Sequence, residues 1–597
     1  MNKNEIITRL AEKFNSEEVA LQIAYKLVAD STNYKNDYIK NFETTTIKNT
    51  YIQDEIKNLE LNIVDIQNLF EASIDNQDKK ENGIVYTPGY IVDYIIKSTI
   101  NFNDLANSIV VDPACGCGAF LTGLINKLNE WDTDRLCSFI SNKLYGFDLN
   151  ERCKKDVELV INVQLLLLNK SSNDLKINVI TMDSLFCDWS SILPEKPKYV
   201  IGNPPYVKVQ NMNKDYMAKL KSEFETTKSG GFNLFYAFIE KSMSALSSDG
   251  FLGFITPNNF LKIKSGADLR NYIASNKYLS KIIDFDCNMI FAPVMTYNCI
   301  MILNKKGNEL IDYVVLEKTS DIRDSLKKAT FNSIHTSDLD KDGWLFLPNS
   351  VKNIIGKIER FDNKLDKQIK TGIATLRDKY YIIDKVKNGK YYKILDSVEY
   401  EIEKEMVRPL YKVSDIGDVN NIENDKKFII FPYDDNRKKP RPLSQELMKI
   451  NYPLTLKYFE AIKPVLDERN KFKVTEYYEY GRSQGINNTG AKLLYSQFLG
   501  KPKFIMCTDD LALLCNGFAI YEDERLDLKC LQRIIQSEVM DFYIKNTSYS
   551  IEGGFHCYQK KYLKNFSFPS LTDEQIDYIL SENDETKLNS YIWKLYL

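Results

Sequence analysis

Histidine is almost missing from this chain: only His335 and His556 occur in 597 residues. Its eleven cysteines are scattered, and none forms a Cys-x-x-Cys pair. Zinc sites draw on clustered Cys and His, and disulfide scaffolds on closely spaced cysteines, so the pattern argues against both. The same usage fits a reducing, cytoplasmic setting. There is no signal peptide and no apolar run of ~18 residues, which predicts neither secretion nor a membrane span. Charge of one sign is lacking too, since 79 Lys and Arg against 82 Asp and Glu leave a net −3. Any nucleic-acid surface must then be local, because no global basic field exists. No repeat or low-complexity tract stands out. Aromatic residues are what the chain does have, 37 Tyr and 31 Phe. They mostly fill cores, and they can also stack on bases. The length suffices for about two to four domains.

Residues 1–80 read as a helical N-terminal extension. Ile52, Ile56, Leu59, Ile63, Ile66 and Phe70 alternate spacings of four and three, which predicts one apolar stripe on a helix. Packing on its own domain is the simple use of that stripe, and a partner helix is the alternative. From 81 to 310, buried strands alternate with amphipathic helices. Strands are expected at 109–111, 144–148, 177–180, 199–201, 250–257, 282–286 and 296–303. That alternation predicts an α/β fold, a doubly wound, mainly parallel sheet. Past 310 the apolar runs shorten and the alternation fades. A connector is expected at 311–360 and a second, α+β domain at 361–597.

The most informative stretch is Tyr199-Val200-Ile201-Gly202-Asn203-Pro204-Pro205-Tyr206. An apolar strand stops at a glycine, followed by an amide, two prolines and an aromatic ring. Two prolines cannot continue a ladder, because they fix φ and donate no N–H. The result is a stiff platform at a strand's C-terminal end, where open α/β sheets place ligands. Asn203 and a proline carbonyl can accept from an exocyclic amine while Tyr206 stacks on its ring. A plain turn is the competing reading of Asn-Pro. Upstream, Asp112-Pro113-Ala114-Cys115-Gly116-Cys117-Gly118 joins a strand to a helix through a glycine turn that admits close backbone approach. A dinucleotide fingerprint would need a further glycine where Leu121 stands, so the loop suits something smaller than a pyrophosphate. Asp148, with Leu149 after it, ends the next strand and suits a ribose diol. Asp183, with Ser184, Leu185 and Phe186, ends the third and suits an adenine amine.

In this order the motifs resemble the gamma-class, TaqI-like adenine-N6 DNA methyltransferases of restriction–modification systems. The residues that carry the resemblance are Tyr86-Thr87-Pro88, Asp112 to Phe120, Asp148, Asp183 and Asn203-Pro204-Pro205-Tyr206. It covers about 80–310 with specific motifs. It runs more weakly through 361–570, at Thr371-Gly372-Ile373 and Asn565-Phe566-Ser567-Phe568-Pro569. Cys117 stands where that family more often has serine. The resemblance implies a Rossmann-like class I fold using S-adenosyl-L-methionine. Tyr86, Thr87, Pro88 and the loop Asp112, Pro113, Ala114, Cys115, Gly116 and Gly118 would hold the methionine part. Asp148 and Leu149 would hold the ribose side, and Asp183 and Ser184 the adenine. Asn203, Pro204, Pro205 and Tyr206 would be catalytic, with Asn203 also touching the cofactor. Tyr206 and Phe291 would face the flipped base from two sides, Tyr297 competing for the second. Extrusion of a base costs a few kcal/mol, and stacking at about 1–3 kcal/mol per base offsets much of that.

Double-stranded DNA is the implied partner. Residues 361–597 would choose the target sequence, with Arg377, Arg437, Arg441 and Arg482 as candidate DNA contacts. The segment Tyr477–Gly485 interleaves aromatics, Arg and Gln, types that read phosphates and base edges. No metal is expected. Cytosine-C5 methylation is argued against, since no Pro-Cys pair supplies a nucleophile. RNA adenine-N6, protein-glutamine and DNA cytosine-N4 methylation remain alternatives. The first 80 residues carry no convincing acidic-Lys nuclease cluster. A stand-alone methyltransferase is therefore expected, any restriction endonuclease lying on a separate chain.

Overall fold

The structure is a computed structural model. It describes residues 3–30, 49–72, 87–170, 175–291, 296–316, 319–339, 343–417, 422–434, 440–469, 475–551 and 553–597. Tyr86 and Arg437 lie outside the described residues. The chain forms two compact units, 1–346 and 347–597.

The first unit is built on a nine-stranded sheet. Its strands are β1 (Val110–Asp112), β2 (Leu144–Asp148), β3 (Asn178–Thr181), β4 (Tyr199–Gly202), β5 (Phe251–Pro257), β6 (Leu279–Met289), β7 (Tyr297–Asn304), β8 (Leu310–Val315) and β9 (Asn332–His335). Their spatial order is β3-β2-β1-β4-β5-β7-β6-β8-β9. β1 pairs in parallel with β2 on one side and β4 on the other. β7 is antiparallel to both β5 and β6. This is a doubly wound, mainly parallel sheet. Strand order reverses between β1 and β4, so the crevice at their C-terminal ends is the topological switch point where such sheets bind ligands. Asp112 and Asn203 sit there, at the end of β1 and just past β4.

The helices before the sheet are α1 (Lys3–Phe14), α2 (Ser16–Asp30), α3 (Thr50–Ile56), α4 (Ile63–Ala72) and α5 (Gly89–Thr99). Between and after the strands lie α6 (Ala119–Lys127), α7 (Thr133–Lys143), α8 (Glu151–Leu167), α9 (Lys214–Glu223), α10 (Phe235–Ala245) and α11 (Ala267–Ser275). The apolar stripe expected on one helix over 52–70 is divided between α3 and α4. Asn62 starts the second helix: its side chain accepts from Val64 N, and Asp65 accepts from Asn62 N in return. That reciprocal cap makes a new N-terminus favourable there. Ile52, Ile56, Ile66, Leu69 and Phe70 are all still buried, in a cluster completed by Val160, Val163 and Leu166 of α8. α5 lays Ile91, Val92, Ile95 and Ile96 onto the sheet.

The connector expected at 311–360 is not a separate segment. Residues up to 346 belong to the first unit, where β8 and β9 extend the sheet, and Asn349–Glu359 is a helix of the second unit. Composition changes at 310 because β8 alternates buried Ile311, Tyr313 and Val314 with more exposed residues and the edge strand β9 buries only Ile334, so neither needs a continuous apolar run.

The second unit is α+β. A four-stranded sheet sets Ile369–Thr371, Phe518–Tyr521, Lys492–Tyr495 and Ile505–Cys507 side by side, and a three-stranded sheet joins Lys427–Ile430, Val407–Lys412 and Leu513–Cys515. Thr371-Gly372-Ile373 meets the 481–485 segment closely. A Cβ on Gly485 would lie 2.9 Å from the carbonyl carbon of Gly372 and from Ile373 N. Arg469 is buried and ties this region together, donating to Thr375 O, the Tyr381 hydroxyl and Tyr477 O at 3.0, 3.1 and 2.8 Å.

Candidate functional site

β1 ends at Asp112, which is 1% exposed, and Gly202 is what makes room for its carboxyl. A Cβ on Gly202 would stand 2.7 Å from Asp112 Oδ1. Ala114 N donates to that oxygen at 3.1 Å. Burial pushes the Asp112 carboxyl up to about 8, against the Ala114 N–H, and Asp148 adds to the rise. Gly116 and Gly118 both take left-handed φ, 51° and 79°, and nothing lies within 4 Å of a Cβ built on Gly116. The loop therefore presents bare backbone at the N-terminus of α6, open to close approach. Cys115 contributes backbone only, since its side chain is buried against Gly146 and burial raises its thiol far above the usual range.

Asp148 anchors the loop from the neighbouring strand, its Oδ2 accepting from Gly116 N at 3.0 Å and its Oδ1 from Asn150 N at 2.9 Å. Beside it two large apolar side chains stand in the open, Leu149 at 68% and Met182 at 48% exposure. Asp183 accepts from Leu185 N at 3.0 Å through Oδ1. Its Oδ2 accepts from the Tyr216 hydroxyl, also at 3.0 Å. Tyr216, on α9, packs edge-on against Phe186, whose ring carries the Lys219 ammonium at 3.8 Å. Ser184 is buried, and its hydroxyl donates to Pro113 O at 2.7 Å. It ties β3 to the glycine loop and is not a surface that faces a ligand.

Past β4, Asn203 donates through Nδ2 to Thr87 Oγ1 at 3.0 Å. With the nitrogen turned to Thr87, the amide oxygen is the end that suits an incoming amine. Thr87 itself is 3% exposed and precedes Pro88, which opens α5. Tyr206 is partly exposed, while its hydroxyl reaches inward, donating to Ile255 O at 3.1 Å and accepting from Asn298 Nδ2 at 3.3 Å. Burial holds that phenol well above its ordinary range, so it stays protonated and is no base. Tyr206 and Phe291 do meet, with centroids 6.3 Å apart, but at 62° to each other. Phe235 adds a second edge contact at 6.2 Å. Tyr206, Phe291 and Phe235 thus form an edge-to-face cluster, an arrangement aromatic rings prefer. Phe291 is buried.

In the second unit the expected reader segment is divided by burial. Tyr478 and Tyr480 are core residues at 0% and 2% exposure, the latter donating to Ile430 O at 2.7 Å. Interleaved aromatics here signal packing, not base contact. Arg482 and Arg441 are exposed, and Arg377 stands 3.6 Å from Glu468. Sequence reasoning missed Tyr216 and Asn298, because both reach the site from elements with no motif of their own.

The family described as Eco57I restriction-modification methylase matches residues 131–291, which span Asp148, Asp183, the Asn203 platform and Phe291. Over those residues the chain is similar to restriction–modification methylases. It is 27% identical over 497 residues to the Type II restriction enzyme and methyltransferase RM.Eco57I of Escherichia coli, covering 70% of this chain and 49% of that protein. It is 24% identical over 572 residues to the Type II methyltransferase M.BstVI of Geobacillus stearothermophilus, covering 86% of this chain and 96% of the relative. M.PaeR7I of Pseudomonas aeruginosa, also a Type II methyltransferase, is 23% identical over 573 residues, with 88% and 93% covered. The chain thus spans about half the length of the first relative and nearly all of the other two. Among solved structures, the Type IIL restriction–modification enzyme MmeI in complex with DNA shares its fold, with a TM-score of 0.63 at 12% identity over 96% of this chain and 86% of that one.

Proposed function

We propose that this methylase is a site-specific DNA methyltransferase that moves a methyl group from S-adenosyl-L-methionine to the N6 amine of an adenine turned out of the duplex. The observation that carries the proposal is the junction of β1 and β4: a glycine loop with left-handed Gly116 and Gly118 lies beside an Asn-Pro-Pro-Tyr platform whose amide is oriented by Thr87. The residues present fit the cofactor. Bare loop backbone and Asp112 suit its amino-acid end, Asp148 a diol, and Leu149, Met182 and Asp183 an aminopurine ring. When bound, the cofactor supplies an electrophilic methyl on a sulfonium.

The chain's own residues then have limited tasks. The Asn203 amide oxygen and the Pro204 carbonyl accept from the N6 hydrogens, which turns the nitrogen lone pair out of the ring and towards the methyl. Tyr206 offers its ring to the base, and Phe291 swings from edge contact to cover the other side. The N6–CH3 bond would form as the sulfonium S–CH3 bond breaks, its electron pair staying on sulfur. The methylated amine, now cationic and acidic, would release its proton to solvent afterwards. Alignment therefore matters more than a base, and positioning supplies most of the acceleration. The absence of a strong base at the platform agrees with this. The second unit selects the sequence, with exposed Arg441 and Arg482 available to phosphates or base edges. Two of the Type II relatives match nearly end to end and are named as methyltransferases, which supports a modification role. A cognate restriction endonuclease on another chain is the expected counterpart.

Modification-sensitive sequencing of DNA from cells expressing the full chain tests the proposal. One recurring sequence should carry modified adenine, and none should with Asn203→Ala. Modification that persists in that variant would remove the platform from the chemistry.

A further inference from the structure

The four N-terminal helices have no part in the chemistry above, yet one of their side chains reaches the glycine loop. Gln67 on α4 is 2% exposed. Its Nε2 donates to Cys117 O at 3.3 Å and to Thr122 Oγ1 at 3.0 Å. Thr122, in the first turns of α6, donates onward through Oγ1 to Gly118 O at 2.9 Å. The Gly118 carbonyl also accepts from Thr122 N at 2.9 Å, and Gly118 N donates to Cys115 O at 2.8 Å, so the side-chain contact to the Cys117 carbonyl is the one that Gln67 adds. On the far side, Asp148 holds Gly116 N. The loop is clamped between β2 and α4.

The clamp is anchored. Gln164 of α8 donates to Thr122 O at 3.0 Å. Ile66, Leu69 and Phe70 pack with Val160, Val163 and Leu166, and Cys117 packs against the same cluster. Gly116 and Gly118 have little conformational preference of their own at positive φ, so the orientation of the peptide between Cys117 and Gly118 is set by what holds its atoms. That peptide lies in the segment expected to meet the cofactor.

We propose that Gln67 is a positioning residue of the cofactor loop, which makes the N-terminal helices part of the cofactor site. The inference rests on reading 112–118 as the S-adenosylmethionine cradle. A merely structural glutamine would lower overall stability and weaken every ligand together.

The test uses the full chain and calorimetric titration with S-adenosylmethionine. Wild type should bind. Gln67→Met keeps the length and removes the donor, and should weaken cofactor binding by about tenfold. Its affinity for duplex DNA, and its kcat at saturating cofactor, should stay within about twofold of wild type, a change in KM alone. Gln67→Glu sets a carboxylate against the Cys117 carbonyl and should weaken cofactor similarly, whereas Thr122→Ser keeps the hydroxyl relay and should bind like wild type. These two carry the test if Gln67→Met does not fold. Equal cofactor affinity for wild type and the Gln67 variants overturns the inference while leaving the cradle intact. So does a parallel loss of cofactor and DNA affinity. Failure of wild type to bind overturns the cradle and the inference together.

Discussion

Replacing Thr87 with valine removes one oxygen and almost no volume, at a side chain that is 3% exposed. The lost atom accepts from Asn203 Nδ2 at 3.0 Å. Loss of one hydrogen-bond acceptor from a part-buried amide costs about 1–3 kcal/mol. The amide can recover part of that by rotating, which would turn its NH2 group towards the target amine, where an acceptor is needed. Either way the productive geometry is penalised and the ground state is relieved, so the cost should fall on kcat. The expected loss is about 5- to 150-fold at saturating cofactor and DNA. Thr87→Ser keeps the oxygen and should stay within a few-fold of wild type. Single-turnover transfer of tritiated methyl to duplex DNA measures both. Equal rates for the valine and serine variants would refute the claim that Thr87 orients the catalytic amide.

Gly202→Ala should lower the stability of the first unit by about 1–3 kcal/mol, because its Cβ would meet Asp112 Oδ1 at 2.7 Å. Urea unfolding checks it, and an unchanged midpoint would mean the Asp112 carboxyl is not fixed there. Asp112 also carries a pH signature. Its folded-state value of about 8 lies above its ordinary carboxylate range, so the stability it contributes is complete below about pH 4 and is lost as pH rises through about 8. Asp112→Asn, which mimics the protonated form, should therefore gain on wild type by up to about 1.4 kcal/mol per pH unit across that window. A pH-independent difference, measured without cofactor, would contradict the buried protonated carboxyl. Tyr206→Phe keeps the ring but removes the hydroxyl bridging Ile255 O and Asn298. It should cost about 1 kcal/mol of stability and leave methyl transfer within a few-fold.

What was legible in the sequence is what backbone chemistry dictates locally. Tyr199–Ile201 had to be a buried strand, the two prolines had to end it, and the glycines at 116 and 118 had to turn the chain between β1 and α6. Those signals placed Asp112, Asp148, Asp183 and Asn203 at strand ends, and the sheet brings all four to one edge. Contacts made across distance were not legible. Nothing local distinguishes Gln67 from any other helical glutamine, or Tyr216 from any other partly buried tyrosine. Their roles come from α4 and α9 being carried to the sheet's C-terminal edge by packing. The outer strands at 310–335 were read as a connector because strands that expose part of one face lack the continuous apolar runs of the central ones. Tyr477–Gly485 misled in the opposite sense, since an interleaved aromatic-Arg pattern serves a core held by Arg469 as readily as a nucleic-acid surface.

The central claim concerns which amine receives the methyl group. Duplex DNA carrying the chain's recognition sequence, incubated with the full protein and labelled S-adenosylmethionine, can be hydrolysed to nucleosides and separated. The account predicts that label co-elutes with N6-methyl-deoxyadenosine and disappears with Asn203→Ala. Label in N4-methyl-deoxycytidine would show that the Asn-Pro-Pro-Tyr platform holds the other exocyclic amine, and would contradict the account.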